Sequence, residues 1–219
     1  MVTTLPNCPE WAWNYHAFPS RSSLEEQIVF CLKAGILAPS THNAQPWLFK
    51  IKSNVCSVSI DESVYLKIAD PDKRYLHISI GCCIENILLV ATYFNILKRV
   101  TYVSNDKSSH ICDIEFKLGG QIHVNKSLEM LVAAIPNRVN SRGAFDAKQI
   151  PSSLNKKLRS LVVPQDIHVS FIDNPIKLNH LYYLSTDGIR RYTRGSPSEK
   201  NSLAQLLHRY RVAGAAYQQ

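Results

Sequence analysis

Residues 75–94 form a long apolar stretch interrupted by polar side chains only at His77, Ser79, Glu85, Asn86 and Thr92. A helix that is apolar on most of its faces has to be buried on most of its faces. The rest of the chain must therefore supply a shell around it, and the stretch is expected as the central helix of a domain. No run of about 18 or more uncharged apolar residues is present, so no transmembrane helix is expected. The first nine residues carry neither a basic nor an apolar segment of the signal-peptide kind, so no signal peptide is expected and the chain reads as cytoplasmic. The six cysteines (Cys8, Cys31, Cys56, Cys82, Cys83 and Cys112) follow no metal-ligand spacing. In a cytosolic setting they read as reduced, mostly buried small hydrophobes.

The flanking segments alternate between helix and strand signals. Ser22 to Glu25 reads as a capping box, followed by Leu24, Ile28, Cys31, Leu32 and Ile36 at helical spacing, with Pro39 expected to end the helix. Residues 47–51 and 55–61 read as strands joined by the short turn Lys52-Ser53-Asn54. In residues 111–118, Cys112, Ile114, Phe116 and Leu118 alternate with Asp113, Glu115 and Lys117, the pattern of a strand with one wet face. Short helices are expected at 128–135, closed by Pro136, and at 152–162. A strand is expected at 167–172 and a helix at about 175–184. Helices mixed with hairpin-linked strands, without steady βαβ alternation, give an α+β class: a mostly antiparallel sheet packed with a buried central helix.

The densest chemical signal is Ala38-Pro39-Ser40-Thr41-His42-Asn43-Ala44-Gln45-Pro46-Trp47. Two prolines bracket a run of small and polar residues between an apolar helix and an apolar strand. Ser, Thr, His, Asn and Gln each donate a hydrogen bond and most also accept one, so such a loop can line a polar cofactor. His42 either faces that cofactor or its substrate, or bonds a nearby carbonyl. Trp47 is expected in the core. Arg74 is expected to pair with Asp70 or Asp72, and Gly81 to permit close helix packing. Cys82-Cys83 is expected to be core.

This loop resembles the signature segment of the nitroreductase family, Pro-Ser-x-x-Asn-x-Gln-Pro-Trp, which borders flavin mononucleotide (FMN). The His42-Asn43 pair is similar to the branch in which two family units are fused in one chain. Asp61, Asp70-Pro71, Arg74, residues 78–81 and Glu85-Asn86 fit the same branch. A second match, residues 137–145, resembles the Arg-x-Ser-x-Arg-x-Phe element that opens a unit and grips the flavin phosphate. Arg138 and Arg142 match its basic positions, Asn140 stands in the Ser position beside Ser141, and Phe145 falls one residue late. Independently of the family, a guanidinium fork matches phosphate oxygens.

The resemblance implies a nitroreductase-like fold divided into a first unit at residues 1–135, the start of a second at 136–184, and an unmatched arginine-rich tail at 185–219. It implies a chain that stops partway through the second unit. It also implies one intramolecular FMN site, with Pro39, Ser40, Thr41, His42, Asn43 and Gln45 from the first unit and Arg138, Asn140, Ser141 and Arg142 from the second. The implied function is FMN-dependent oxidation of NAD(P)H with a small acceptor such as a nitroaromatic or quinone, with a homodimer as the candidate assembly. The rival within the family is a flavin-holding protein with little turnover. A rival outside it starts from charge: half of the formal net charge of +8 lies beyond Leu184, where Arg190, Arg191, Arg194, Lys200, Arg209 and Arg211 outweigh Asp187 and Glu199. No aromatic platform accompanies that charge, so nucleic acid is not the expected partner.

Overall fold

The computed structural model describes residues 12–103, 108–118, 125–140, 150–160, 171–172 and 174–193. Contacts divide the chain into two units, Met1–Val139 and Asn140–Gln219.

The first unit is α+β. Strands β1 (Trp47–Lys52), β2 (Val55–Ile60), β3 (Leu97–Tyr102) and β4 (His110–Phe116) form one antiparallel sheet in the order β1-β2-β4-β3. The β1–β2 hairpin pairs Trp47 with Ile60 and Lys52 with Val55, and its turn is made possible by a left-handed backbone at Ser53 (φ 55°). Alternation sorts the two faces. Cys56, Val58, Ile60, Cys112, Ile114 and Phe116 are buried on one. On the other, Ser57 donates to Asp113 at 2.6 Å, and Glu115 takes Lys98 at 2.8 Å and Arg99 at 3.3 Å.

Three helices complete the unit: α1 (Leu24–Gly35), α2 (Arg74–Tyr93) and α3 (Lys126–Ala134). Ile28 and Cys31 of α1, and Ile80, Cys83, Ile84, Ile87 and Val90 of α2, share one core with the inner face of the sheet. The α1–α2 crossing is tight because Gly35 has no side chain. A Cβ there would stand 2.7 Å from Ile87 Cγ1 and 3.2 Å from Cys83 Sγ. Asn86 Nδ2 crosses the same interface and donates to the Ala34 carbonyl at 3.1 Å. Residues 13–18 cover the outside of α1, with Trp13 donating to the Phe30 carbonyl and Phe18 stacked on Phe94 at 3.7 Å.

The core is rich in free thiols, with Cys31, Cys56, Cys83 and Cys112 all buried. Burial first, then the proximity of Cys56, pushes the Cys31, Cys83 and Cys112 thiols up, that of Cys112 to about 12. Cys56 itself is pushed up to about 11, first by burial and then by Asp113. The expectation of buried cysteines holds for these four; Cys82 is half-buried and Cys8 lies outside the described residues.

The second unit contributes α4 (Ser152–Arg159) and α5 (Pro175–Thr193). Asn174 caps α5 by accepting from the amides of Ile176 and Lys177. The Arg159 guanidinium lies over the Phe171 ring at 4.8 Å.

Several local expectations need correcting. The capping box of α1 is Ser23 with Glu26, one residue later than read. The helix ends at Gly35, before Pro39 is reached, through tightened turns in which Leu37 and Ala38 bond back to Ala34 and Gly35. Strand β4 stops at Phe116, and Leu118 stands 72% exposed instead of facing the core. Helix α4 ends at Arg159, whereas α5 continues to Thr193, into the segment read as a tail. Phe171 and Ile172 are not in a strand, and the remainder of the strand expected at 167–172 lies outside the described residues. So does most of the arginine-rich segment, from residue 194 onward.

Helix α2 is central but not buried all round. By length and composition alone it could cross a membrane. In the fold, Leu76, Ile80, Cys83, Ile84, Ile87, Val90 and Ala91 line the core, while Tyr75, Ile78, Gly81 and Glu85 face outward. Among the described residues Gly81 meets nothing within 4 Å of where its Cβ would be, so its expected packing role is not found there. Gly35 has that role instead.

Candidate functional site

The loop between α1 and β1 is built by local hydrogen bonds. Ser40 staples it, its carbonyl accepting from the Asn43 amide and its hydroxyl from the Gln45 amide, each at 3.0 Å. Thr41–Asn43 make a 3-10 turn, and the Ala44 amide donates back to the Thr41 carbonyl. Pro46 is buried, and its carbonyl accepts from the Asp61 amide, which fixes the loop to the end of the β1–β2 hairpin. Trp47 follows into the core, as expected.

Three loop residues adopt left-handed backbone: His42 (φ 54°), Asn43 (φ 58°) and Gln45 (φ 51°). That conformation costs a side-chain-bearing residue on the order of 1–2 kcal/mol, and such strain gathers at functional sites. The same three are the exposed members of the loop, whereas Pro39, Ser40, Thr41 and Ala44 are half-buried. The strained backbone thus turns an imidazole and two carboxamides outward, above a half-buried base.

Arg138 reaches this region from far along the chain. Helix α3 packs against α2 and ends in the 3-10 turn Ile135–Asn137, anchored by buried Val132 and Ile135. The next residue, Arg138, donates through Nη2 to the Leu37 carbonyl at 3.4 Å. Leu37 lies two residues before Pro39, so Arg138 and the loop share one end of the first unit. Asn140 is exposed and belongs to the second unit, and Ser141 and Arg142 lie outside the described residues.

Two supports were not read as such from the sequence. Asp70 does not pair with Arg74, which makes no ion pair among the described residues. Its buried carboxylate instead accepts from the amides of Tyr75 (3.0 Å) and Leu76 (2.8 Å), capping α2. Asn86 ties α2 to the end of α1 that feeds the loop. The sequence signal for both was a polar residue at the edge or in the middle of an apolar helix, where it needs a partner.

Other polar constellations offer less. Among the described residues no group of three or more His, Cys, Asp or Glu side chains is arranged to hold a metal ion. On the wet face of the sheet, Ser59 approaches His110 at 3.5 Å and His110 approaches Asp113 at 3.3 Å. The Asp113 carboxyl is held low by the Ser57 hydroxyl first and His110 second. The residue types match a hydrolytic relay. The contacts, however, are at the limit of hydrogen-bond length, and the His110 and Asp113 side chains are 32% and 45% exposed, which leaves them poorly fixed for such a role.

No known protein-family profile matches the chain. Two curated proteins of Mycobacterium tuberculosis, from strains CDC 1551 / Oshkosh and ATCC 25618 / H37Rv, each bear the name "Putative NAD(P)H nitroreductase". Each is 26% identical to this chain over 142 residues. The match covers 64% of this chain and 39% of each relative, so it spans about two fifths of the length of the curated relatives. Together with the α+β architecture of the first unit, the likeness supports a distant relationship to the nitroreductases.

Proposed function

We propose that the chain carries half or more of an FMN site and serves an oxidoreductase that takes electrons from NAD(P)H and passes them to a small acceptor such as a nitroaromatic or a quinone. The observation that supports the reading is the contact of Arg138 with the carbonyl of Leu37, 101 residues earlier in sequence and two residues before the strained, donor-rich loop begins at Pro39. The donor set fits the cofactor. Asn43 and Gln45 carboxamides match the polar edge of a flavin ring, Ser40 and Thr41 hydroxyls match a ribityl chain, and a guanidinium suits a phosphate. The chemistry such a cofactor supplies when bound is acceptance of hydride from a nicotinamide and release of electrons to the acceptor. The chain itself then needs only to bind, orient and leave one face open, so no side-chain nucleophile is required. His42 is exposed and is assigned to the substrate side. A cytoplasmic setting and a homodimer accompany the reading.

FMN and riboflavin titrations followed by flavin absorbance test this. Arg138→Ala is expected to weaken FMN but not riboflavin. A lost charge-assisted hydrogen bond of about 1.5–3 kcal/mol corresponds to roughly tenfold to hundredfold in affinity. Asn43→Ala should weaken both ligands alike. Equal loss of the two ligands in Arg138→Ala, or no flavin binding by the wild type, would sink the site. Bound flavin without steady-state NAD(P)H oxidation would favour a flavin-holding protein instead.

A further inference from the structure

Asp70 is 4% exposed, and its carboxylate lies where the first turn of α2 meets the candidate loop. Lys73, at the N-cap position of α2, is itself left-handed and provides no side-chain cap. Asp70 supplies it instead, one oxygen to the Tyr75 amide and the other to Leu76. Together with Leu76, Ser79, Val64 and Leu66, Asp70 walls a cavity of about 10 Å³ whose remaining walls are Thr41, Ala44 and Pro46. Ser79 is held by its own helix, donating to the Tyr75 carbonyl at 2.7 Å. A space of that size holds at most about one water, so loop and helix lie close to contact there.

We infer that Asp70 is a positioning residue for the loop. By fixing the first turn of α2 it fixes the wall on which residues 41–46 rest, and so holds His42, Asn43 and Gln45 in their left-handed conformation. The importance of this for flavin rests on the proposed function; the coupling of helix to loop does not.

Residue-resolved hydrogen exchange on the ligand-free chain tests the coupling, because the Asn43, Ala44 and Gln45 amides are all bonded within the loop. In Asp70→Ala their exchange should rise about tenfold or more, together with that of Tyr75 and Leu76, while β2 and β4 stay protected. Asp70→Asn, which keeps an acceptor for the cap, should restore much of both sets, and it supplies the comparison if the alanine variant does not fold. Acceleration confined to Tyr75 and Leu76 would overturn the inference. FMN titration well below the melting temperature of each variant is the second arm. Asp70→Ala should weaken FMN and riboflavin equally, about tenfold, unlike Arg138→Ala. A lowered melting temperature with unchanged affinity would reduce Asp70 to a helix cap. If the wild type bound no flavin, the proposed function would fail while the exchange data still decided the coupling.

Discussion

Gly35 and Gly81 face opposite sides of the same helix and are there for opposite reasons. Gly35, the last residue of α1, lies against the inner face of α2 where a single added carbon would stand 2.7 Å from Ile87. Gly81, inside α2 itself, looks outward into open space. Glycine costs a helix about 0.5–1 kcal/mol relative to alanine. At Gly35 that cost is offset by a close helix crossing. At Gly81 nothing among the described residues offsets it. The difference separates the half of α2 that holds the fold from the half that does not.

The largest expected contrast is chemical. Cys82 and Cys83 are adjacent, but Cys83 is buried and Cys82 only half-buried. Labelling by a thiol reagent under native conditions should be at least about a thousandfold faster at Cys82, because Cys83 requires substantial opening of the fold. Comparable rates, read by mass spectrometry of the peptide, would mean the inner face of α2 is not closed.

Substitution energies come next. Gly35→Ala should destabilise by about 1–3 kcal/mol through overpacking, measured as a drop in the urea midpoint. Combining it with Ile87→Val, which removes one of the two crowding carbons, should recover part of the loss. Gly81→Ala should go the other way and stabilise by about 0.5–1 kcal/mol. A destabilising Gly81→Ala would show that the outer face is covered in solution.

The smallest effect is on the wet face of the sheet. The Asp113 carboxyl is lowered in the fold, first by Ser57. Its contribution is therefore present above the ordinary carboxylate value of about 4 and lost as pH falls through the lower folded value. Being 45% exposed and so well screened by solvent, it should matter by under about 0.5 kcal/mol. Asp113→Asn should slightly flatten the acid limb of a stability–pH curve and change nothing at pH 7 beyond that amount.

What the sequence disclosed followed the strength of each physical signal. Helix α2 was legible from its apolar mass, and β4 from its alternation up to Phe116. Strand β3 was not, because its half-buried residues Leu97 and Val100 fall three apart, with a register shift between Leu97 and Arg99 that breaks the period of two. The α1 cap was displaced by one because Ser22 and Glu25 fit the same spacing as Ser23 and Glu26. The loop was legible as a cluster of donors, but its left-handed backbone was not, since none of His42, Asn43 and Gln45 is glycine. Asp70 drew attention through Arg74, a neighbour in sequence, whereas its partners are amides that only the folded chain brings round.

The left-handed loop also sets which sequences can occupy it. A library randomised at positions 42, 43 and 45 and selected only for folding should fill with glycine, asparagine and aspartate, which tolerate that backbone. Valine, isoleucine and threonine should vanish, because a branched Cβ crowds the following carbonyl there. Selected instead for ligand binding, the same library should give glycine up at whichever position supplies a side chain to the ligand. The gap between the two outcomes would tell, residue by residue, which strained position is merely tolerated and which is retained for use.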